Sequence, residues 1–230
     1  MSATVANLPV DSLRFWQTTV GKKAIMAVTG FMLFGFICGH LLGNLQIYES
    51  PEHINHYAAL LKSLPALLWG ARITLLIAVT LHIWSSFQLW LLQREARPVP
   101  YVKKANLNST YASRTMIWSG PIILAFLIFH LLHFTFGTVH PGGPFDEHNV
   151  YNNVVTGFQY WPVSLFYIIA MLLLCYHLYH GLWSMFQSLG FSHPVYTPWL
   201  RRFAKLFAIL IAAGNISIPV SVLAGFIKPV

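Results

Sequence analysis

Five long apolar runs, at about 23–45, 64–92, 116–136, 161–189 and 203–227, alternate with short polar segments along the chain. Each exceeds the roughly 20 residues an α-helix needs to cross about 30 Å of hydrocarbon. The pattern predicts an all-α membrane protein with five transmembrane helices in a single domain over 1–230. Pro98, Pro100, Pro141, Pro144, Pro194 and Pro198 fall between the runs, where helix breakers belong. The first run is too long for the apolar region of a cleaved signal and is read as a retained helix. Residues 8–16 are expected at the membrane interface.

Composition strengthens this reading. Only 9% of the 230 residues are charged, against about a quarter in soluble domains. The net charge of +8 raises the question of nucleic acid, but no basic stripe carries interleaved aromatic residues, so a nucleic-acid partner is not expected. Arg14, Lys22 and Lys23 precede the first run; Arg94, Arg97, Lys103, Lys104 and Arg114 separate the second from the third; Arg201, Arg202 and Lys205 separate the fourth from the fifth. The alternate connections hold Glu49, Glu52, Asp146 and Glu147 with only Lys62 as a base. The positive-inside rule therefore puts the N-terminus in the cytoplasm. Cys38 and Cys175 lie within apolar runs and form no CxxC motif, which argues against a disulfide framework or a zinc ribbon.

Histidine outnumbers the acids, eleven to six. Six histidines, His40, His82, His130, His133, His177 and His180, sit inside the runs, where a polar group is costly and needs a partner. Depth sorts four of them. His40 follows Lys22 by eighteen residues and His130 follows Arg114 by sixteen, roughly 27 and 24 Å from the inner surface at 1.5 Å per residue. His82 and His177 lie equally far along helices that run inward, so they sit near the inner side. Two imidazoles facing each other at one depth suit the axial positions of an iron porphyrin, and two such layers make an electron path. With both axial positions filled, the expected role is electron transfer rather than oxygen chemistry. No intramembrane carboxylate is available for a di-iron site, and the four histidines divide between two levels, which disfavours zinc.

The first and third runs share Gly-x9-His-Leu-Leu, at Gly30 to Leu42 and at Gly120 to Leu132, which favours His130 over His133. Ser86 and Gly181, four residues beyond His82 and His177, favour His177 over His180. His133 and His180 stay open between propionate binding, a quinone pocket and packing. Gly35, Gly39 and Gly43 leave two readings, close helix packing or clearance for a flat macrocycle. Arg72, within the second run, and Arg114, at the inner end of the third, are candidates for pairing with propionates; Arg114 also serves as a helix anchor.

These residues also resemble a known family. The run Gly21-Lys22-Lys23-Ala24-Ile25-Met26-Ala27-Val28-Thr29-Gly30 with Gly39-His40-Leu41-Leu42-Gly43-Asn44, and later His177-Leu178-Tyr179-His180-Gly181-Leu182-Trp183-Ser184, resembles the cytochrome b558-type membrane anchor of bacterial succinate:quinone oxidoreductases and quinol:fumarate reductases. Ser63-Leu64-Pro65 before the second run adds to the likeness. The resemblance implies a four-helix haem-binding bundle plus a fifth helix, in the bacterial cytoplasmic (inner) membrane. It implies two haem b groups, the outer on His40 and His130, the inner on His82 and His177. It also implies a flavoprotein (FAD) subunit and an iron–sulfur subunit on the cytoplasmic face, with a quinone, menaquinone by the resemblance, in the lipid bilayer. Dicarboxylate chemistry would lie on the partners. No catalytic residue is assigned; for the quinone site the outer connection offers Glu49, Glu52, His53 and His56, each also readable as a solvated surface residue. Some members carry a glutamate near the fourth ligand, where this chain has Cys175 and Tyr176. The rival readings are a cytochrome b of hydrogenase or formate dehydrogenase type, and a transporter relaying protons through histidine.

Overall fold

The computed structural model describes residues 14–99, 102 and 109–230. Most of the expected interfacial segment 8–16, together with Lys103 and Lys104, lies outside the described residues. Among those described there are seven α-helices: α1 (Thr19–Leu45), α2 (Pro51–Ser63), α3 (Pro65–Glu95), α4 (Tyr111–His130), α5 (Val150–Gln159), α6 (Trp161–Ser188) and α7 (Thr197–Leu223). A π-helical turn, Leu131–Thr135, extends α4. The helices α1, α3, α4 with its extension, α6 and α7 are each long and apolar enough to span a membrane.

The five spans follow the apolar runs, with corrected ends. Pro198 sits in the first turn of α7 rather than in a connection, a position where its missing N–H costs nothing. Helix α7 therefore begins at Thr197, and Arg201, Arg202 and Lys205 belong to it. It ends at Leu223, ahead of Gly225 with a φ of 75°. Helix α4 starts at Tyr111, capped by the Thr110 hydroxyl, which accepts from Ser113 N at 3.1 Å. Two connections expected to be loops are also helices. Ser50 caps α2, with Pro51 and Glu52 in its first turn, and Asn149 caps α5.

Helix α1 packs along α3 and α6; α6 packs on α4 and α7; α7 also touches α1. Among the described residues α3 and α4 do not pack substantially on each other, nor does α1 on α4 or α3 on α6. Helices α3, α1, α6 and α4 thus form an arc open on one side, with α7 behind α1 and α6. The end where α1 begins is termed inner and the opposite end outer, following the orientation expected from charge. Buried positions on α3 are Ala78, near its middle, and Ser85 and Leu89 in its inner half. Its outer half diverges from α1 and leaves a cavity of about 400 Å³ lined by Met32, Phe36, Gly70, Ala71 and Thr74 among others.

The packing that exists is concentrated elsewhere. At the outer end α2 and α5 close a core of Ile47, Ile54, Tyr151, Val155, Phe158, Val163, Tyr167, Ile218 and Val222. Between α1, α6 and α7 a second contact places Leu41 against Leu178, Ala208 and Ile211. Gly214 allows this approach, since a Cβ there would sit 2.9 Å from Leu41 Cδ2. We expect Gly214→Val to destabilise the fold by about 1–3 kcal/mol through overpacking, read as a lower unfolding temperature in detergent.

Candidate functional site

Each spanning helix of the arc contributes one histidine to a facing pair. His40 on α1 faces His130 on α4, with ring centroids 5.7 Å apart and planes at 86°. His82 on α3 faces His177 on α6 at 6.3 Å and 56°. Both pairs join helices that lie diagonally across the arc, so each spans a gap that no helix–helix packing fills. The two levels lie eleven residues apart on α1, from Thr29 beside His82 to His40. Ser119, beside His177, and His130 are eleven apart on α4. That separation is roughly 16 Å along the bundle axis.

Hydrogen bonds fix which ring nitrogen faces the gap. His82 Nδ1 lies 3.1 Å from the Met26 carbonyl and 3.3 Å from Thr29 Oγ1. Thr29 donates its own hydrogen to Ile25 O at 2.7 Å, so its oxygen is left to accept. His177 Nδ1 lies 3.2 Å from Ser119 Oγ, whose hydrogen goes to Met116 O. His130 Nδ1 lies 3.3 Å from the Tyr167 hydroxyl. The Met26 carbonyl can only accept, so His82 carries its proton on Nδ1 and keeps a lone pair on Nε2; His177 and His130 have the same nitrogen engaged, by Ser119 and Tyr167. His40 has no hydrogen-bond partner among the described residues; Phe36 stacks on it at 5.3 Å.

Sequence reasoning missed Thr29, Ser119 and Tyr167. The first two had a signal, since each precedes the glycine of the shared Gly-x9-His-Leu-Leu pattern. Gly30 serves the same contact: a Cβ there would lie 3.3 Å from the His82 ring. Gly35 and Gly39 face open space, as do Gly120 and Gly181, whereas Gly43 is a packing glycine pressed by Tyr57.

The remaining candidates lie apart from the pairs. His133, in the π-turn, is fully buried against Phe134, His140 and Gly157, and its Nδ1 bonds Tyr167 OH at 3.1 Å. His180 packs edge-on to Trp183, over which Arg201 lies at 4.4 Å. Arg72 is exposed and rests on Trp69, and Arg114 is exposed at the start of α4. Glu49, Glu52, His53 and His56 are exposed at the outer end, while Ile54, Asn55 and Tyr57 are among the α2 side chains that turn inward. His53 Nδ1 donates to Glu49 Oε2 at 2.6 Å. The Ser50 hydroxyl holds the Glu52 carboxyl below its ordinary range.

A family model described as succinate dehydrogenase/fumarate reductase transmembrane subunit matches residues 91–216, more than half of the chain. The chain belongs to this family. No curated protein and no solved structure gives a significant match. Membership makes the protein a membrane subunit of such complexes and answers the two rival readings. The matched segment contains His130 and His177 but neither His40 nor His82; geometry alone connects those two to it.

The pairs also pass a test of size. With a metal–imidazole bond of about 2 Å and the ring centre roughly 1 Å behind the nitrogen, two trans imidazoles have centres about 6 Å apart. Both observed separations bracket that figure. No group of three or more His, Cys, Asp or Glu side chains converges among the described residues. The donor set is thus two opposed imidazole pairs, with Nδ1 already bonded in three of the four rings and glycine-lined space nearby.

His140 follows the π-turn and bears on stability. Burial lowers its pKa from the ordinary 6.5, against a smaller opposing influence of the His133 carbonyl. The unfolded chain therefore binds a proton that the folded chain refuses. Stability should decline as pH falls below about 6.5. His140→Asn should flatten that part of the profile, as measured by thermal unfolding in detergent from pH 7.5 to 5.

Proposed function

We propose that the chain is the dihaem cytochrome b anchor of its complex, carrying electrons between an iron–sulfur subunit on the cytoplasmic face and a membrane quinone, menaquinone by the family resemblance. The observation that carries this reading is the pair of opposed imidazoles at each of two levels, at the separation one iron requires. His82 and His177 would hold the inner haem b, His40 and His130 the outer. A haem held by these histidines would supply single-electron exchange.

The chain's own residues prepare these sites. With Nε2 given to a metal, Nδ1 donates to Met26, Thr29, Ser119 and Tyr167, which orients the rings and raises their donor strength. Gly35, Gly39, Gly120 and Gly181 face open space, the clearance a flat macrocycle would use. Arg72 and Arg114, whose guanidinium groups have no carboxylate partner among the described residues, are free to neutralise propionates. Arg72 is the stronger candidate, because a cation within a span costs roughly 2.5–3.5 kcal/mol without a partner.

A quinone takes up two protons with two electrons. The hydrogen-bonded Glu49 and His53 at the outer end are the groups we assign to that exchange; Glu52 stays ionised and is less suited to carry a proton. In the orientation expected from charge, the inner haem lies toward the flavoprotein and iron–sulfur partners, and the fumarate or succinate chemistry remains with them. The protein would then be a multi-pass subunit of the bacterial cytoplasmic membrane.

Two substitutions test the pairing. His82→Ala should remove one of two b-type haems per chain and leave the other, and His130→Ala should remove the complementary one, as read from reduced-minus-oxidised spectra. Retention of both haems in either variant overturns the assignment. Glu49→Gln should lower quinone turnover at least tenfold while leaving haem content intact; unchanged turnover would remove the Glu49–His53 pair from the quinone site.

A further inference from the structure

Tyr167 has one hydroxyl hydrogen and two histidine neighbours. Its oxygen lies 3.3 Å from His130 Nδ1 and 3.1 Å from His133 Nδ1. Tyr167 is 6% exposed and His133 is fully buried, so bulk solvent does not reach either side chain. If His130 offers Nε2 to iron, its single proton is on Nδ1, and the phenol oxygen must accept it. The phenol hydrogen then has one place to go, His133 Nδ1, and the His133 proton is left on Nε2. The direction of every bond in this chain follows from the ligand's protonation.

The arrangement has no counterpart at the other three ligands. Thr29 and Ser119 spend their hydrogens on carbonyls of their own helices, and His40 has no acceptor among the described residues. Tyr167 alone is an acceptor polarised by donation to a further buried side chain. A phenol that donates to an imidazole is a stronger acceptor, and strengthening the Nδ1 bond raises the basicity of the ligand. His133 is held for this by the π-turn, which carries the chain out of α-helical register directly after His130 and turns His133 toward α5. A π-turn inside a helix is often found at functional positions.

We propose that Tyr167, held by His133, is a positioning residue for His130 that sets the donor strength of this one ligand and lowers the reduction potential of one haem only. The proposal rests on the dihaem reading above. It gives His133 a role distinct from ligation, as the group that orients the phenol.

The test is an equilibrium redox titration of the assembled complex, following b-type absorbance. In Tyr167→Phe one of the two waves should move to higher potential and the other stay. His133→Leu should move the same wave upward. His133→Asn, whose amide oxygen replaces Nδ1 as acceptor, should keep the original potential. Two unmoved waves in Tyr167→Phe, or two waves that move together, overturn the proposal while leaving the dihaem reading intact. Absence of two b-type haems in the unsubstituted complex would instead sink the dihaem reading. Should the variants fail to assemble, redox-difference infrared spectra of the unsubstituted complex with ring-labelled tyrosine decide the matter. A phenol C–O band that shifts with one haem supports the coupling, and its absence overturns it.

Discussion

An imidazole buried in hydrocarbon has two nitrogens to satisfy, and the interior of this bundle is organised around that requirement. At three positions one nitrogen is bonded by the protein, through Met26 and Thr29, through Ser119 and through Tyr167. Each of these rings also lies 5.7 or 6.3 Å, centroid to centroid, from an imidazole on the diagonal helix. Water in a soluble protein would meet the second need; in a bilayer it must be met from within. Among the described residues α1 and α4, and α3 and α6, do not pack substantially on each other, so the paired rings meet across the interior rather than along a helix seam.

The same constraint explains an approximate repetition within the chain. Helices α1 and α3 form one half, and α4 and α6 the other. In each half an outward-running helix carries a hydroxyl, Thr29 or Ser119, followed by glycine and, ten residues after that glycine, by the outer histidine. Each hydroxyl bonds the inner histidine of the neighbouring inward-running helix. The halves differ where α1 carries Phe36 against His40 while α4 continues into the π-turn and His133. Asymmetry between the levels therefore enters at the outer end, where α2 and α5 also pack.

Much of this was legible in the residues. The spans followed from hydropathy, and depth counting from Lys22 and Arg114 on the outward helices, and from Leu64 and Trp161 on the inward ones, grouped the four histidines into the pairs that the fold brings face to face. The Gly-x9-His-Leu-Leu pattern favoured His130 over His133, and it is His130 that the fold sets against His40. Other features were less visible. Helices α2 and α5 are short and amphipathic, and their caps, Ser50 with Pro51 and Asn149, were the available signal. The π-turn depends on where His133 finds room against Gly157, a tertiary contact with no local signature. Tyr167 lies ten residues before His177 on a helix rich in tyrosine, and only the packed structure shows that its hydroxyl meets two histidines.

The central claim is that two imidazole pairs hold two irons in this single chain. The most direct measurement is the haem content and spin state of the purified protein, by pyridine haemochrome absorbance together with low-temperature electron paramagnetic resonance. The account predicts two b-type haems per chain, both low-spin and neither binding carbon monoxide. One haem or none, or a high-spin centre that takes up carbon monoxide, would contradict it.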